Sequence, residues 1–325
     1  MKVFITRIIP QQAIKKMESA GIEILQWKEK RELTPAELIE NCKQCDALLS
    51  AGYNKINASF LNESRHLKVI ALHSVGYDNV DVAEATRLKI PVGNTPGVLS
   101  GATADIAFLL MLATARKAFF QHNRIIRGEW VFFEPTAHLG IELTGKTLGI
   151  YGLGKIGFEM AKRCRGAYNM KVIYNNRQKN PEAENELDAE LVSFDELLKR
   201  SDILSVHTNL SKETRGKFDR AAFEKMKTSA IFINTARGAI HNEEDLIAAL
   251  KNETIWGAGL DVTNPEPMDP ANPLLTMPNV AVTPHIGSAT VETRNAMAAI
   301  AAENIIAGLQ GKKIPFPVNP EVYES

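Results

Sequence analysis

The stretch Thr147-Leu-Gly-Ile-Tyr-Gly152-Leu-Gly154-Lys-Ile-Gly157-Phe-Glu-Met-Ala-Lys-Arg-Cys164 decides the fold. Its first five residues form an apolar run that reads as a buried strand, and residues 158–164 read as a helix. Between them stands G-x-G-x-x-G. As bare spacing that pattern is weak; between a strand and a helix it marks a βα turn built to receive a dinucleotide. Gly152 permits the tight turn, Gly154 lets backbone approach a pyrophosphate, and Gly157 allows the helix to pack closely on the strand. The N–H groups of Lys155, Ile156 and Gly157 open the helix and offer donors and positive dipole to phosphate. The plainer alternative, a glycine-rich turn with no ligand, leaves the strand-to-helix placement without a reason.

The same alternation continues outward on both sides. Downstream, Val172-Ile-Tyr174, Ile203-Leu-Ser-Val206, Ile231-Phe-Ile233, Gly257-Ala-Gly-Leu260 and Val280-Ala-Val282 read as strands between helical segments. Upstream, Val3-Phe-Ile-Thr6, Ile22-Glu-Ile-Leu25, Ala47-Leu-Leu49, Val69-Ile-Ala-Leu72 and Ile90-Pro-Val92 form an earlier series. Helices open there near Pro10, as a first-turn proline, and at the capping box Thr34-Pro-Ala-Glu37. Gly101 to about Arg127 reads as one long linking helix, and Ala289–Leu309 as a closing one. Strands alternating with helices predict parallel sheets. The expected fold class is α/β, with two doubly wound parallel-sheet domains.

The composition agrees. The chain has 325 residues, 45% of them hydrophobic, and 38 Lys plus Arg balance 38 Asp plus Glu. That length suits two domains. The absence of a basic excess or a charge block argues against nucleic-acid partners. Three cysteines do not suit a disulfide framework, so a reducing, cytoplasmic setting is expected. Arg7 and Pro10 interrupt any signal-peptide core, and the longest apolar stretch, Ile106 to Ala115, is about half a membrane span. Cys42-Lys-Gln-Cys45 has redox or zinc spacing, but with no second pair nearby two structural cysteines and no metal are expected.

Two further segments carry chemistry. The strand ending at Tyr174 leads into Asn175-Asn176-Arg177-Gln178-Lys179. NAD enzymes place an acid there, roughly 20 residues past the glycines, for the ribose 2′-hydroxyl. Here no carboxylate repels a 2′-phosphate, and Arg177 is placed to pair with one. NADP(H) is therefore expected ahead of NAD(H), with a solvated basic loop as the alternative. Then Arg237, Glu266 and His285 each follow closely on a predicted strand. Ligands of open parallel sheets bind outside the carboxyl ends of the strands. Singly, these are a helix-capping arginine, a loop carboxylate and a structural histidine; together, a fixed cation, a carboxylate and an imidazole predict a catalytic site.

With these residues in view, the chain resembles the D-isomer-specific 2-hydroxyacid dehydrogenases along nearly its whole length. The matching segments are Ser74-Val-Gly-Tyr-Asp-Asn79, the glycine loop, Asn234-Thr-Ala-Arg-Gly238, Gly259-Leu-Asp-Val262 leading to Glu266-Pro, and Pro284-His-Ile-Gly-Ser-Ala-Thr290. Leu275-Thr-Met-Pro-Asn279 and the run after Pro284 are most similar to the glyoxylate/hydroxypyruvate reductase and 2-ketogluconate reductase branch, which commonly uses NADPH. The resemblance implies a Rossmann cofactor domain, residues 101–287, inserted in a flavodoxin-like substrate domain, residues 1–100 and 288–325, and a homodimer. It implies NAD(P)H-dependent reduction of a small 2-keto acid (glyoxylate, hydroxypyruvate or 2-ketogluconate) to the D-2-hydroxy acid. Arg237 would hold the carboxylate and carbonyl oxygen. His285 would donate the proton, as histidine chemistry near neutral pH allows, with Glu266 favouring its imidazolium. The backbone N–H groups of Val75 and Gly76 would grip the carboxylate, and Asp261 the nicotinamide carboxamide. Asn176, Arg177, Gln178, Thr235, Ala236, His285 and Gly287 would join the glycine loop in touching the cofactor.

The pattern departs from the family at a few places. His207-Thr-Asn-Leu-Ser211 stands where His-x-Pro-Leu-Thr is usual, which leaves the adenine contact at Asn209 open. Asp105 replaces a more usual Glu, and Lys155 a commoner Arg. His207 is expected as a packed strand-end residue. Glu266 argues against formate dehydrogenases, which pair His with Gln, and the missing regulatory domain against an allosteric phosphoglycerate dehydrogenase. The competing readings are an NAD-linked D-lactate or phosphoglycerate-type dehydrogenase and a cofactor-sensing, co-repressor-like binding protein. The aromatic arm Gly128-Glu-Trp130-Val-Phe-Phe133 would join the dimer, or else pack locally. Substrate choice is expected to lie around Ala51-Gly-Tyr53, residues 73–76 and Phe133.

Overall fold

Twelve short strands, nearly all apolar, alternate with helices among the described residues, 1–324, of the computed structural model. The contacts divide the chain into one unit of Met1–Leu99 with Ala289–Ser325 and another of Ser100–Ser288. The first unit holds β1 (Lys2–Ile5), β2 (Glu23–Gln26), β3 (Ala47–Ser50), β4 (Val69–Leu72) and β5 (Val92–Gly93), in the order β2-β1-β3-β4-β5. The second holds β6 (Thr147–Tyr151), β7 (Lys171–Asn175), β8 (Glu190–Leu191), β9 (Ile203–Val206), β10 (Ile231–Asn234), β11 (Gly257–Leu260) and β12 (Val280–Val282). Their order is β12-β11-β10-β9-β6-β7-β8. Every pairing in both sheets is parallel.

These orders are those of the flavodoxin-like and Rossmann sheets respectively. In the second sheet the chain leaves β6 for β7 on one side and returns to β9 on the other. Leu148 pairs with both Val172 and Ile203. The carboxyl ends of β6 and β9 therefore flank the crevice where the strand order reverses. Strands covered on both faces need unbroken apolar runs. In β10, Ile231, Phe232 and Ile233 have no exposed surface, and each such side chain contributes about 1.5–3 kcal/mol.

The linking helix differs from expectation. It is two helices, Ser100–Ala115 and Ala118–Ile126, broken at Lys117, which is left-handed with φ 52°. A continuing helix would need the Ala115 carbonyl for residue 119, but the Ile141 N–H takes it at 3.0 Å. The apolar residues Phe119, Phe120 and Ile125 carry a helical period past the break, which is why periodicity alone hid it. Ser100–Ala115 is apolar over most of its surface because most of it is covered, packing on β10 and β11, with Asp105 and Leu109 exposed. Pro10 is the N-cap residue of Gln11–Ser19 rather than part of its first turn. The closing helix starts at Val291, two residues later than expected, capped by Thr290 Oγ1 accepting from the Thr293 N–H. The Thr34 capping box forms in full. Cys42, Cys45 and Cys164 are buried free thiols.

Candidate active site

The glycine loop joins β6 to the helix Lys155–Tyr168. Gly152 is left-handed, φ +95°, and a Cβ there would lie 2.7 Å from the Thr208 nitrogen, so the turn admits no side chain. Gly154 is the opposite: nothing lies within 4 Å of its notional Cβ. Backbone faces open space there, beside the unpaired N–H groups of the helix start, which is the fit a pyrophosphate needs. The Asn176 side chain, expected to touch the cofactor, braces the loop. Its Oδ1 accepts from the Leu153 N–H at 2.7 Å and its Nδ2 donates to the Leu153 carbonyl at 3.2 Å. Asn180 adds a bond to the same carbonyl at 3.1 Å. Arg177 and Gln178 are exposed just beyond. The Glu213 carboxyl is held below its usual range by the Ser211 hydroxyl first, and also by the Arg177 and Lys212 charges. His207, just past the end of β9, is half-buried; its Nε2 meets the Ser205 hydroxyl at 2.8 Å, and the burial it has pushes it down to about 3. That keeps it neutral and in a packing role beneath the loop.

Arg237, Glu266 and His285 come from the carboxyl ends of β10, β11 and β12, three adjacent strands. His285 Nδ1 lies 2.9 Å from Glu266 Oε2. A carboxylate only accepts, so Nδ1 donates and Nε2 is the ring nitrogen left for another partner. Glu266 Oε1 accepts from the Thr263 N–H at 2.9 Å, which orients the carboxylate. Burial would raise the Glu266 pKa, but the His285 hydrogen bond and charge, the Thr263 amide and the Arg237 charge outweigh it and hold the group below its usual range. His285 itself is left-handed, φ 53°, an uncommon state for a residue with a Cβ and one that clusters at functional sites.

Asp261 explains how that conformation is held. Its carboxylate has 1% exposure. Oδ1 accepts from the Thr283 hydroxyl at 2.7 Å and the Ile286 N–H at 2.8 Å, and Oδ2 from the Gly287 N–H at 2.7 Å. Burial raises its pKa; these donors and the His285 charge oppose that. Asp261 thus brackets His285, through the Thr283 hydroxyl before it and the Ile286 and Gly287 amides after it. Arg237 is extended, φ −146°, with Nη1 donating to the Ala236 carbonyl at 2.7 Å. Thr235 is buried, its hydroxyl 3.4 Å from His207 Nδ1. Sequence reading missed Thr263 and Asn234, which hold these groups; an asparagine ending an apolar strand was the available signal for the second.

In the first unit, Val75 and Gly76 follow β4. Asn94 Nδ2 donates to the Val75 carbonyl at 2.8 Å and the Ser74 hydroxyl to the Gly76 carbonyl at 2.8 Å. The Thr95 N–H donates to the Ser74 carbonyl at 3.0 Å, so the peptide planes that carry the Val75 and Gly76 N–H groups are held through the Ser74 and Val75 carbonyls, while no hydrogen bond among the described residues uses the N–H of either residue. Two oriented donors at a strand end suit an anion.

Residues 108–287 match the model of the D-isomer specific 2-hydroxyacid dehydrogenase, NAD binding domain. The chain belongs to this family. Within it the chain falls in the glyoxylate reductase branch. The glyoxylate reductase of Thermococcus litoralis is 45% identical over 328 residues, covering 100% of this chain and 98% of the relative. That of Pyrococcus furiosus is 43% identical over 325 residues, covering 99% and 96%. A solved glyoxylate reductase from Paecilomyes thermophila has a TM-score of 0.87 at 32% identity, covering 98% of each chain. An NADPH-dependent glyoxylate/hydroxypyruvate reductase from Sinorhizobium meliloti, solved with NADP and malonate, has a TM-score of 0.85 at 28% identity, covering 98% of this chain and 97% of that one. This member of the D-2-hydroxyacid dehydrogenases is thus an oxidoreductase with a Rossmann domain for a nicotinamide cofactor. No helix among its described residues is long and apolar enough to cross a membrane.

Proposed function

We propose that the protein reduces glyoxylate, and hydroxypyruvate or 2-ketogluconate as larger members of the same class, to the D-2-hydroxy acid, with NADP(H) preferred over NAD(H). The observation that carries this reading is the 2.9 Å His285–Glu266 pair on a strand end next to that of Arg237. The nicotinamide supplies the hydride when bound. Arg237 pairs with the substrate carboxylate and polarises the carbonyl oxygen. His285 Nε2 gives its proton to that oxygen as C2 takes the hydride, and Glu266 holds Nδ1–H and stabilises the imidazolium that precedes transfer. The Val75 and Gly76 amides belong to the carboxylate grip by family resemblance and by their oriented donors.

Residues 101–287 form the cofactor domain in this reading, and 1–100 with 288–325 the substrate domain. The amides of Lys155, Ile156 and Gly157 and the open backbone at Gly154 take the pyrophosphate. Arg177 takes the 2′-phosphate with Gln178 beside it, supported by the lack of a carboxylate at the end of β7. Asp261, Thr235, Ala236 and Gly287 line the nicotinamide half, where Asp261 also holds the His285 loop. A homodimer is supported by the aromatic arm: Trp130, Val131, Phe132 and Phe133 are 66, 77, 65 and 82% exposed, a contiguous apolar surface suited to a second copy.

The test is a panel of 2-keto acids run with both cofactors, following reduced nicotinamide by absorbance, on the wild type and His285→Ala. The variant is expected to lose about 10²–10⁴ in kcat. Near-normal turnover by His285→Ala refutes the proton-donor assignment, cofactor binding without turnover of any acid refutes the enzyme reading, and a clear preference for NADH refutes the cofactor choice.

A further inference from the structure

Behind Arg237 lies a buried polar pair that the reaction scheme does not use. Asn234, the last residue of β10, has no exposed surface, and His241, just past the short helical turn Gly238–Ile240, is 2% exposed. Asn234 Oδ1 accepts from the Ala236 N–H at 2.9 Å. Its Nδ2 donates to the Arg237 carbonyl at 2.9 Å and meets His241 Nδ1 at 3.1 Å. Reversing the amide would set oxygen against the Arg237 carbonyl and N–H against N–H at Ala236, so its orientation is determined. His241 Nδ1 must then be the acceptor, and the ring proton sits on Nε2, which has no partner among the described residues.

A buried donor left unsatisfied is a standing cost that an aliphatic residue would avoid. What the imidazole provides in exchange is one lone pair, aimed at the second N–H of Asn234. Without it that N–H would be buried and unpaired, and the amide free to abandon the Arg237 carbonyl. The imidazole stands on a rigid support. The Phe218 N–H donates to the Ile240 carbonyl at 3.2 Å and the Asn242 N–H to the Phe218 carbonyl at 2.9 Å, while the Phe232 ring packs edge-on at 5.7 Å.

We infer that His241 is a positioning residue for substrate binding: through Asn234 it holds the peptide that carries Arg237, and so the direction in which the guanidinium meets the 2-keto acid carboxylate. The inference rests on the reading of Arg237 as the carboxylate anchor. Burial pushes the His241 ring down to about 4, so the lone pair persists through the neutral range.

The test compares His241→Leu, which fills the space without an acceptor, with His241→Asn, whose Oδ1 can stand where Nδ1 stood. Glyoxylate KM, kcat, NADPH affinity by fluorescence and thermal melting are measured on each, with Arg237→Ala alongside. His241→Leu is expected to raise glyoxylate KM about tenfold with NADPH affinity unchanged, and His241→Asn to return KM to within about threefold of wild type. Equal KM in the two His241 variants overturns the inference, as does a matching loss of NADPH affinity, which marks a general packing defect. If His241→Leu does not fold, His241→Val replaces it; failure of both beside a native His241→Asn assigns the residue to folding alone and also overturns it. Arg237→Ala separates the two levels. Wild-type turnover there refutes the anchor itself, whereas a disabled Arg237→Ala beside indistinguishable His241 variants refutes only the role of His241.

Discussion

Gly238→Ala isolates the spacing between the loops that carry Arg237 and Glu266. A Cβ on Gly238 would stand 2.0 Å from the Thr263 carbonyl oxygen, 2.2 Å from its carbon and 2.9 Å from the Asn264 nitrogen. Ordinary contact begins at 3.4 Å, so the loops must part by about 1.4 Å, the difference between 3.4 and 2.0. All three obstacles are backbone, which no rotamer change can clear. Gly238 directly follows Arg237, and the Thr263 N–H holds Glu266 at 2.9 Å, so the methyl drives the guanidinium away from the carboxylate that steadies His285. A misplacement of about 1 Å can cost about 10²-fold in rate. The overpacking itself costs about 1–3 kcal/mol, roughly 2–12 °C of melting temperature for a domain of this size. The assay is steady-state glyoxylate reduction together with a thermal melt and an NADPH binding titration. The expected result is kcat/KM down about 10²-fold with NADPH affinity within about threefold of wild type. A variant with wild-type kcat/KM and an unchanged melt refutes the coupling of the two loops.

The two neighbouring loop glycines should respond in opposite ways. Gly154→Ala meets open space and is expected to melt like wild type while raising NADPH KM about tenfold or more, because its methyl occupies the phosphate approach. Gly152→Ala combines left-handed backbone with a 2.7 Å contact and is expected to lose stability first; equal behaviour of the pair in melts and titrations contradicts the cradle. Acid should weaken the second unit. His207 and His241 lie at about 3 and about 4 when folded, below the ordinary 6.5, so between those values the unfolded chain binds more protons. Stability is then complete above about pH 6.5 and is lost as pH falls toward 4, by on the order of 2 kcal/mol per histidine at about pH 5. Urea midpoints that stay level between about pH 7.5 and about pH 5 would refute neutral rings in the folded state.

Strands covered on both faces must be continuously apolar, so β6 to β12 announce themselves, except β8, whose two residues are too few to show a pattern. The glycine loop is equally plain, because its three glycines answer local steric demands: a left-handed turn, a close phosphate and a close helix. Arg237, Glu266 and His285 stand out because each ionisable group follows closely on an apolar run. Such features depend on a residue and its immediate neighbours, and a linear string carries them in full.

Other features depend on which distant groups compete for the same atom. The helix stops at Lys117 because Ile141, far along the chain, takes the carbonyl that a further turn would need. That Asn176 braces the glycine loop, its amide bonded at each end to Leu153, could not be read from its place after a strand. His285 and Glu266 are 19 residues apart and meet at 2.9 Å only because β11 and β12 are neighbours. His241 carried no sequence signal, since its meaning lies in one lone pair facing one N–H of Asn234. The kinds of group at the site were legible in the order of residues. Their partners, and therefore their tautomers, orientations and charges, were decided by packing, because a hydrogen-bonding atom is claimed by what lies nearest in space and not by what lies nearest along the chain.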